Sequence, residues 1–156
     1  KKLLNSAYRG ESSRKGWTTE ADLIEGNVRT DEQNLSDVMA IPGSIFLKYT
    51  SAEGLVQGCV NLQVQNERVY LGMFSVNPAL QGAGIGKIIL RSAEEYALSQ
   101  EADSIYMSVI SVRAELIAWY QRHGYMDTGE RKAFKEDGLT GKHLQELKFM
   151  TLEKRL

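Results

Sequence analysis

The chain has 156 residues, 42% hydrophobic and 25% charged, with a formal net charge of -1; this is enough for one domain, residues 1–156, with a buried core. The near-neutral balance supplies no global field for nucleic acid or an anionic membrane. No apolar run approaches the ~20 residues of a membrane span, and no signal peptide is visible, so a reducing cytoplasm is the expected setting.

In chain order, Leu3, Leu4, Ala7 and Tyr8 have helical spacing that stops at Gly10. A polar loop from Gly10 to an aromatic end at Trp17 follows. Thr19 with Asp22 resembles a variant capping box, predicting a short helix up to Gly26. Thr30-x-x-Gln33 is a better box and predicts a helix ending before Pro42-Gly43. Three strand-like runs come next: Ile45 to Thr50, Leu55 to Val64 and Arg68 to Val76. The short turns between them make an antiparallel meander. Cys59, the sole cysteine, falls in the second run beside Val60 and Leu62. It reads as a buried strand residue, and a lone cysteine excludes both an internal disulfide and a Cys/His zinc constellation, so no metal is expected.

Ile85, Ile89, Ala93 and Tyr96 then make a helical stripe; Ser104 to Ile110 reads as a strand and Arg113 to His123 as a helix ended by Gly124. Leu147 to Leu152 closes the chain as a last strand. Repeats, low-complexity tracts and linkers are absent, which favours one mixed α+β domain.

Gly82, Gly84 and Gly86 stand where the third strand, broken by Pro78, turns into the helix. A bare Gln-x-x-Gly-x-Gly match arises by chance in roughly one chain in fifteen of this length, given a glycine frequency near 7%. The strand–turn–helix context adds weight. Such a turn aims several backbone N–H groups at one point on the positive end of a helix dipole, and glycine lets an anion approach without a Cβ clash. The plain alternative is a tight connection. Lys87 directly after Gly86 breaks the spacing of a nucleoside-triphosphate P-loop, and a preceding meander is not the start of a dinucleotide-binding crossover.

From Leu3 to Leu152 the chain resembles the GNAT superfamily of N-acetyltransferases. The resemblance rests on two motifs in order. The first is the strand Leu71 to Pro78 followed by Gln81-Gly82-Ala83-Gly84-Ile85-Gly86, and the second is Trp119-Tyr120-Gln121-Arg122-His123-Gly124-Tyr125. It implies an α+β fold, a mixed, mostly antiparallel central sheet flanked by helices, with the family's first strand absent from this sequence. It also implies acetyl-CoA as acyl-donor cosubstrate. Gln81, Gly82, Ala83, Gly84, Ile85, Gly86 and Lys87 would bind its pyrophosphate, and Phe74, Ser75 and Val76 would pair with its pantetheine arm. Many members carry Asn where this chain has Arg113, which leaves two roles for the arginine: reaching a phosphate or capping a surface helix.

The implied reaction moves an acetyl group from the thioester to a primary amine by direct attack, with backbone N–H groups stabilising the oxyanion. Tyr120 occupies the position of the acid that protonates the departing thiolate, although Leu116, Ile117 and Tyr120 also share a helical stripe that would suit a core tyrosine. His123 reads as structural. The family's acceptor wall falls on the loop holding Tyr8, Glu11, Trp17 and Glu20, where a carboxylate would orient the amine and relay its proton; a merely solvated loop is the alternative. A non-catalytic CoA-binding or sensory module is the rival function, and a nucleotide-binding protein a second. The amine acceptor is unnamed, and a homodimer is left open.

Overall fold

Helix α1 (Lys2–Tyr8) opens the computed structural model, which describes residues 1–16 and 19–156. It buries Leu4 and Ala7 against the central sheet. A single helical turn, α2 (Gly10–Ser13), follows where a loop is expected. No helix forms after Thr19. Its hydroxyl does hold a local turn, accepting from the Ala21 N–H at 3.2 Å. After one helical bond, Ile24 N–H to Glu20 carbonyl at 2.9 Å, the chain straightens into a two-residue strand, β1 (Ile24–Glu25). Ile24 is recruited there to pair with His143 and to fill a small apolar cluster, and this tertiary demand overrides the capping signal.

Helix α3 (Glu32–Ala40) is capped by Asp31, whose side chain accepts from the Asn34 N–H at 2.7 Å. Thr30 bonds the Asn34 side chain instead, also at 2.7 Å, so the box lies one residue later than the sequence suggests. The three runs that follow form the expected meander: β2 (Ser44–Thr50), β3 (Val56–Gln65) and β4 (Arg68–Val76). A 3-10 turn, Pro78–Leu80, leads to α4 (Ile85–Ser99), whose buried stripe of Ile85, Ile89, Leu90, Ala93 and Ala97 lies over β3 and β4. At Gly58 on β3 an added Cβ would stand 2.5 Å from Ile89 Cδ1 and 3.2 Å from the Ser75 carbonyl. Glycine there sets how closely helix and sheet approach.

Strand β5 (Ser104–Ile110) and helix α5 (Ala114–Arg122) match their predicted ranges to within a residue at either end. Strand β6 (Met126–Phe134) was not legible in the sequence. It is the sheet's edge and eight of its nine residues are exposed, so its side chains follow no apolar alternation. The chain ends through β7 (Lys142–His143), which pairs with β1, and β8 (Leu147–Arg155).

The six-stranded sheet has the order β2-β3-β4-β5-β8-β6. Its one parallel pair is β4 with β5, and that pair is short: Arg68↔Ser104, Val69↔Ile105 and Tyr70↔Tyr106. Beyond Tyr106, β5 stays paired to β8 as far as Ile110↔Phe149, whereas β4 goes with β3. Between the pairs Asn61↔Gly72 and Cys59↔Ser75, β4 carries one extra residue. This β-bulge contains Met73 at φ 49, a left-handed backbone that non-glycine residues seldom adopt. The sheet opens into a V at this point, and the main core cluster packs beneath it.

Candidate active site

Two cavities flank the V. The first, of about 260 Å³, is lined by Gln81, Gly82 and residues 84–87 of the glycine turn, by Phe74 and Val76 of β4, and by Leu116, Trp119 and His123 on or beside α5. The second, of about 110 Å³, lies between Leu71–Phe74 on one arm and Met107–Ile110 on the other, with Tyr8, Glu20, Arg29, Arg113 and Tyr120 around it. Phe74 and Leu116 line both. They are the wall through which the two spaces meet.

The glycine turn fits an anion. Gly82 (φ 94) and Gly84 (φ 83) take backbone angles open to glycine, and an added Cβ at either would meet no protein atom within 4 Å. Gly84 is the N-cap of α4, and no side chain caps that end. The N–H groups of Ile85, Gly86 and Lys87 therefore have no intrahelical acceptor, at the positive end of a 15-residue helix. At Gly86 a Cβ would sit 3.7 Å from both Phe74 and Trp119: room exists, but only within the cleft. The Gln81 side chain turns back to donate to the Val76 carbonyl at 3.0 Å.

Phe74, Ser75 and Val76 lie on the stretch of β4 past its last pairing with β5. Ser75 is fully buried and donates to the Met73 carbonyl at 3.1 Å. Opposite, Trp119 packs on the Phe74 ring at 6.0 Å and His123 stacks on Trp119 at 4.3 Å. His123 Nδ1 lies 2.7 Å from the Trp119 carbonyl. A carbonyl only accepts, so Nδ1 carries the proton and a neutral ring keeps Nε2 as acceptor. His123 thus fronts the first cavity rather than open solvent, because α5 ends at the cleft.

On the other side, Tyr8 donates its hydroxyl hydrogen to the Phe74 carbonyl. Tyr120 is 3% exposed, in edge contact with Trp119 and Tyr125, and its hydroxyl makes no hydrogen bond among the described residues. Burial pushes the Tyr8 phenol up to about 12, and burial also raises those of Tyr120 and Tyr125. Glu20 faces the cavity but its oxygens are taken: Oε2 by Arg9 Nη1, Oε1 by Arg113 Nη1 at 3.3 Å. Arg113 is the N-cap residue of α5 without a side-chain cap hydrogen bond, and its side chain turns inward to Glu20 and the second cavity. Glu11 lies outside both cavities, exposed and paired with Arg14 at 2.9 Å. Trp17 lies outside the described residues.

The model of the Acetyltransferase (GNAT) family matches residues 8–125. The chain belongs to this family. Over 80 residues it is 30% identical to streptothricin acetyltransferase of Streptomyces lavendulae, a match covering 50% of this chain and 42% of that relative. Among solved structures it is similar to a nourseothricin acetyltransferase (TM-score 0.63, 22% identity, 73% of this chain and 66% of that one). It is also similar to the ribosomal-protein-S18-alanine N-acetyltransferase of Escherichia coli (0.67, 13%, 81% and 77%). A GNAT family acetyltransferase of Elizabethkingia anophelis with acetyl-CoA bound gives 0.65 at 14% identity, over 86% and 89%. These structural likenesses bear on the fold: a mixed α+β domain architecture with a six-stranded, mostly antiparallel sheet flanked by helices. No helix among the described residues is long and apolar enough to cross a membrane.

Two stability predictions arise from the site. Folding favours the protonated form of Tyr8, Tyr120 and Tyr125, since burial raises all three. Their contribution is intact below the ordinary phenol value near 10 and falls as pH climbs from there toward about 12 and above. Urea unfolding at pH 8 and pH 11 should show a lower midpoint at the higher pH, and a Tyr120→Phe variant should lose less between the two. Glu20→Gln leaves two buried guanidiniums without their counter-charge, which costs about 3–5 kcal/mol. Its denaturation midpoint should fall accordingly, with the slope unchanged.

Proposed function

We propose that this GNAT chain transfers the acetyl group of acetyl-CoA to a primary amine by direct attack on the thioester. One observation carries the reading: an anion-fitting turn and a phenol-lined cavity lie on opposite sides of the same strand opening and meet at Phe74 and Leu116. The cosubstrate would supply an activated acetyl carbon with thiolate as leaving group. Ile85, Gly86 and Lys87 N–H groups would hold its pyrophosphate, with Gln81, Gly82, Ala83 and Gly84 shaping the turn. The unpaired edge of β4 at Phe74, Ser75 and Val76 would take its pantetheine arm as an added strand.

In the transfer a C–N bond forms and the C–S bond breaks; the amine loses a proton and the thiolate gains one. The backbone of the β4 bulge is where the oxyanion would be stabilised. Tyr120 is the better donor to sulfur, because the Tyr8 proton is committed to the Phe74 carbonyl while the Tyr120 hydroxyl makes no bond among the described residues. A phenol raised by burial stays protonated at neutral pH, ready to donate as charge builds on sulfur. Glu20, with both oxygens on arginines, orients the wall and is not the base. The amine must therefore arrive neutral or give its proton to water. Tyr8 and Glu20 shape the acceptor wall, and Glu11 is not part of it. The relatives' names make streptothricin and nourseothricin the first acceptors to assay.

Two outcomes check this. Acetyl-CoA at ~100 times its dissociation constant should add about 2.7 kcal/mol of apparent stability. Gly84→Val, strained at φ 83 and projecting into the cleft, should abolish that gain; no thermal shift of the parent protein with millimolar CoA would sink the reading. Tyr120→Phe keeps the ring and removes the hydroxyl. Turnover, followed by CoA release, should fall ~10²–10⁴-fold in kcat with little change in KM or CoA affinity. A loss under about threefold, well short of that range, would hand the role to water.

A further inference from the structure

The acceptor-side cavity holds more positive charge than it neutralises. Arg113 and Glu20 line it and pair with each other. Arg9, only 2% exposed, stands behind Glu20 and takes its other oxygen. Arg29 also lines the cavity, with its guanidinium 5.3 Å from the Tyr8 ring centroid, and no carboxylate pairs with it among the described residues. Two guanidiniums therefore share one carboxylate, and a third, Arg29, lines the same cavity. Glu20 is the sole acidic residue of the lining, so nothing else there offsets them. Arg9 confirms the shortage: its Nη2 is buried without a partner. The uncharged polar lining groups, Tyr8, Tyr70, Ser108 and Tyr120, carry no negative charge near neutral pH, and burial raises the phenols of Tyr8, Tyr70 and Tyr120 further.

Like charges around a small, partly desolvated space repel strongly, and an anion entering it is attracted by all three. A cationic acceptor without an acidic group would meet that field unfavourably. Arg29 is the group placed to receive the anion, since Arg9 and Arg113 are already engaged with Glu20. Its planar fork suits a carboxylate in two-pronged contact. The cavity is small, about 110 Å³, which fits a short spacing between the anion and the reacting nitrogen.

Resting on the acetyl-transfer reading, we propose that the acceptor is an amino acid or amino-acid-like amine whose carboxylate is held by Arg29. The carboxylate replaces the missing counter-charge at the wall, and the amine is left to face the Phe74 end, where the two cavities meet. Arg29 then sets specificity without touching the reacting atoms.

The test compares each common amino acid with its primary amide. The amide has nearly the same shape and an amine that deprotonates more readily, so any preference for the acid comes from charge. Two readouts are taken: kcat/KM from CoA release at saturating acetyl-CoA, and calorimetric affinity for the CoA-saturated protein. At least one amino acid should exceed its amide by about tenfold or more in both, the scale of one charge-assisted contact. Arg29→Gln should bring that ratio below about threefold, and Arg29→Lys, which keeps the charge but loses the planar fork, should retain only part of it. Amides, or other amines, used as well as the acids would overturn the carboxylate pairing while leaving acetyl transfer standing. Acids bound selectively but never acetylated would uphold the pairing and overturn acetyl transfer. Neither binding nor acetylation of any amino acid, or a ratio indifferent to Arg29→Gln, would overturn the pairing outright.

Discussion

The separation of β4 from β5 after Tyr70 and Tyr106 is the constraint on which the rest of the molecule depends. Had the parallel pairing run on from Tyr70 to Val76, the backbone groups of Phe74, Ser75 and Val76 would be spent on β5 and both cavities would close. Two features prevent it. Strand β5 is paired along its length to β8, which holds its course while β4 continues with β3. Strand β4 carries an extra residue against β3, with Met73 held at φ 49. A left-handed methionine costs on the order of 1–3 kcal/mol and persists only where its surroundings over-determine it. Here Cys59 and Ser75 both reach the Met73 carbonyl, and Tyr8 from α1 takes that of Phe74. The first helix is therefore part of the lock that keeps the opening in shape.

That dependence explains what could be read in advance. The meander, α4 and α5 were legible because each buries one face and shows it as a period of 2 or 3.6: Leu62, Val69 and Leu71 in the strands, Ile85, Ile89 and Ala93 in the helix. The glycine turn was legible because φ 94 and φ 83 at Gly82 and Gly84 demand glycine. The bulge was not, since Met73 is an ordinary strand residue by type and its conformation is imposed from outside. Nor was β6, whose exposed side chains have no face to report. The segment after Thr19 misleads for a related reason. Its cap chemistry is local, while Ile24 answers to His143 and Leu147 far along the chain.

The cavity lined by Glu20, Arg29 and Arg113 was the least legible part, and charge is why. By composition Arg9, Glu20, Arg29 and Arg113 are four surface-type residues scattered over more than a hundred positions. Glu20 suggested a carboxylate that orients the amine and relays its proton, from its place on the loop that the family resemblance singles out. Burial between Arg9 and Arg113 gives it a different task, because both of its oxygens are engaged by guanidiniums. Arg113, where the family pattern pointed to the cofactor, serves the opposite wall. Only the three-dimensional arrangement shows that the carboxylate supply falls short. His123 shows the same limit on the other side: its place at the cleft depends on where α5 ends against Phe74 and Trp119.

The two sides are also joined away from the opening. Gly16, on the loop after α2, lies so close to the Gln81 side chain that an added Cβ would fall 2.3 Å from its Oε1. Gln81 in turn is tied to the Val76 carbonyl, on the strand that forms the V. The loop after α2 and the glycine turn therefore meet at the Gln81 side chain, whose flexible end a larger residue at position 16 would displace. Phe74 and Leu116 couple the sides through apolar packing in the middle, and Gly16 with Gln81 couples them at the rim. The two cavities are thus two faces of one wall, and its shape is set where β4 lets go of β5.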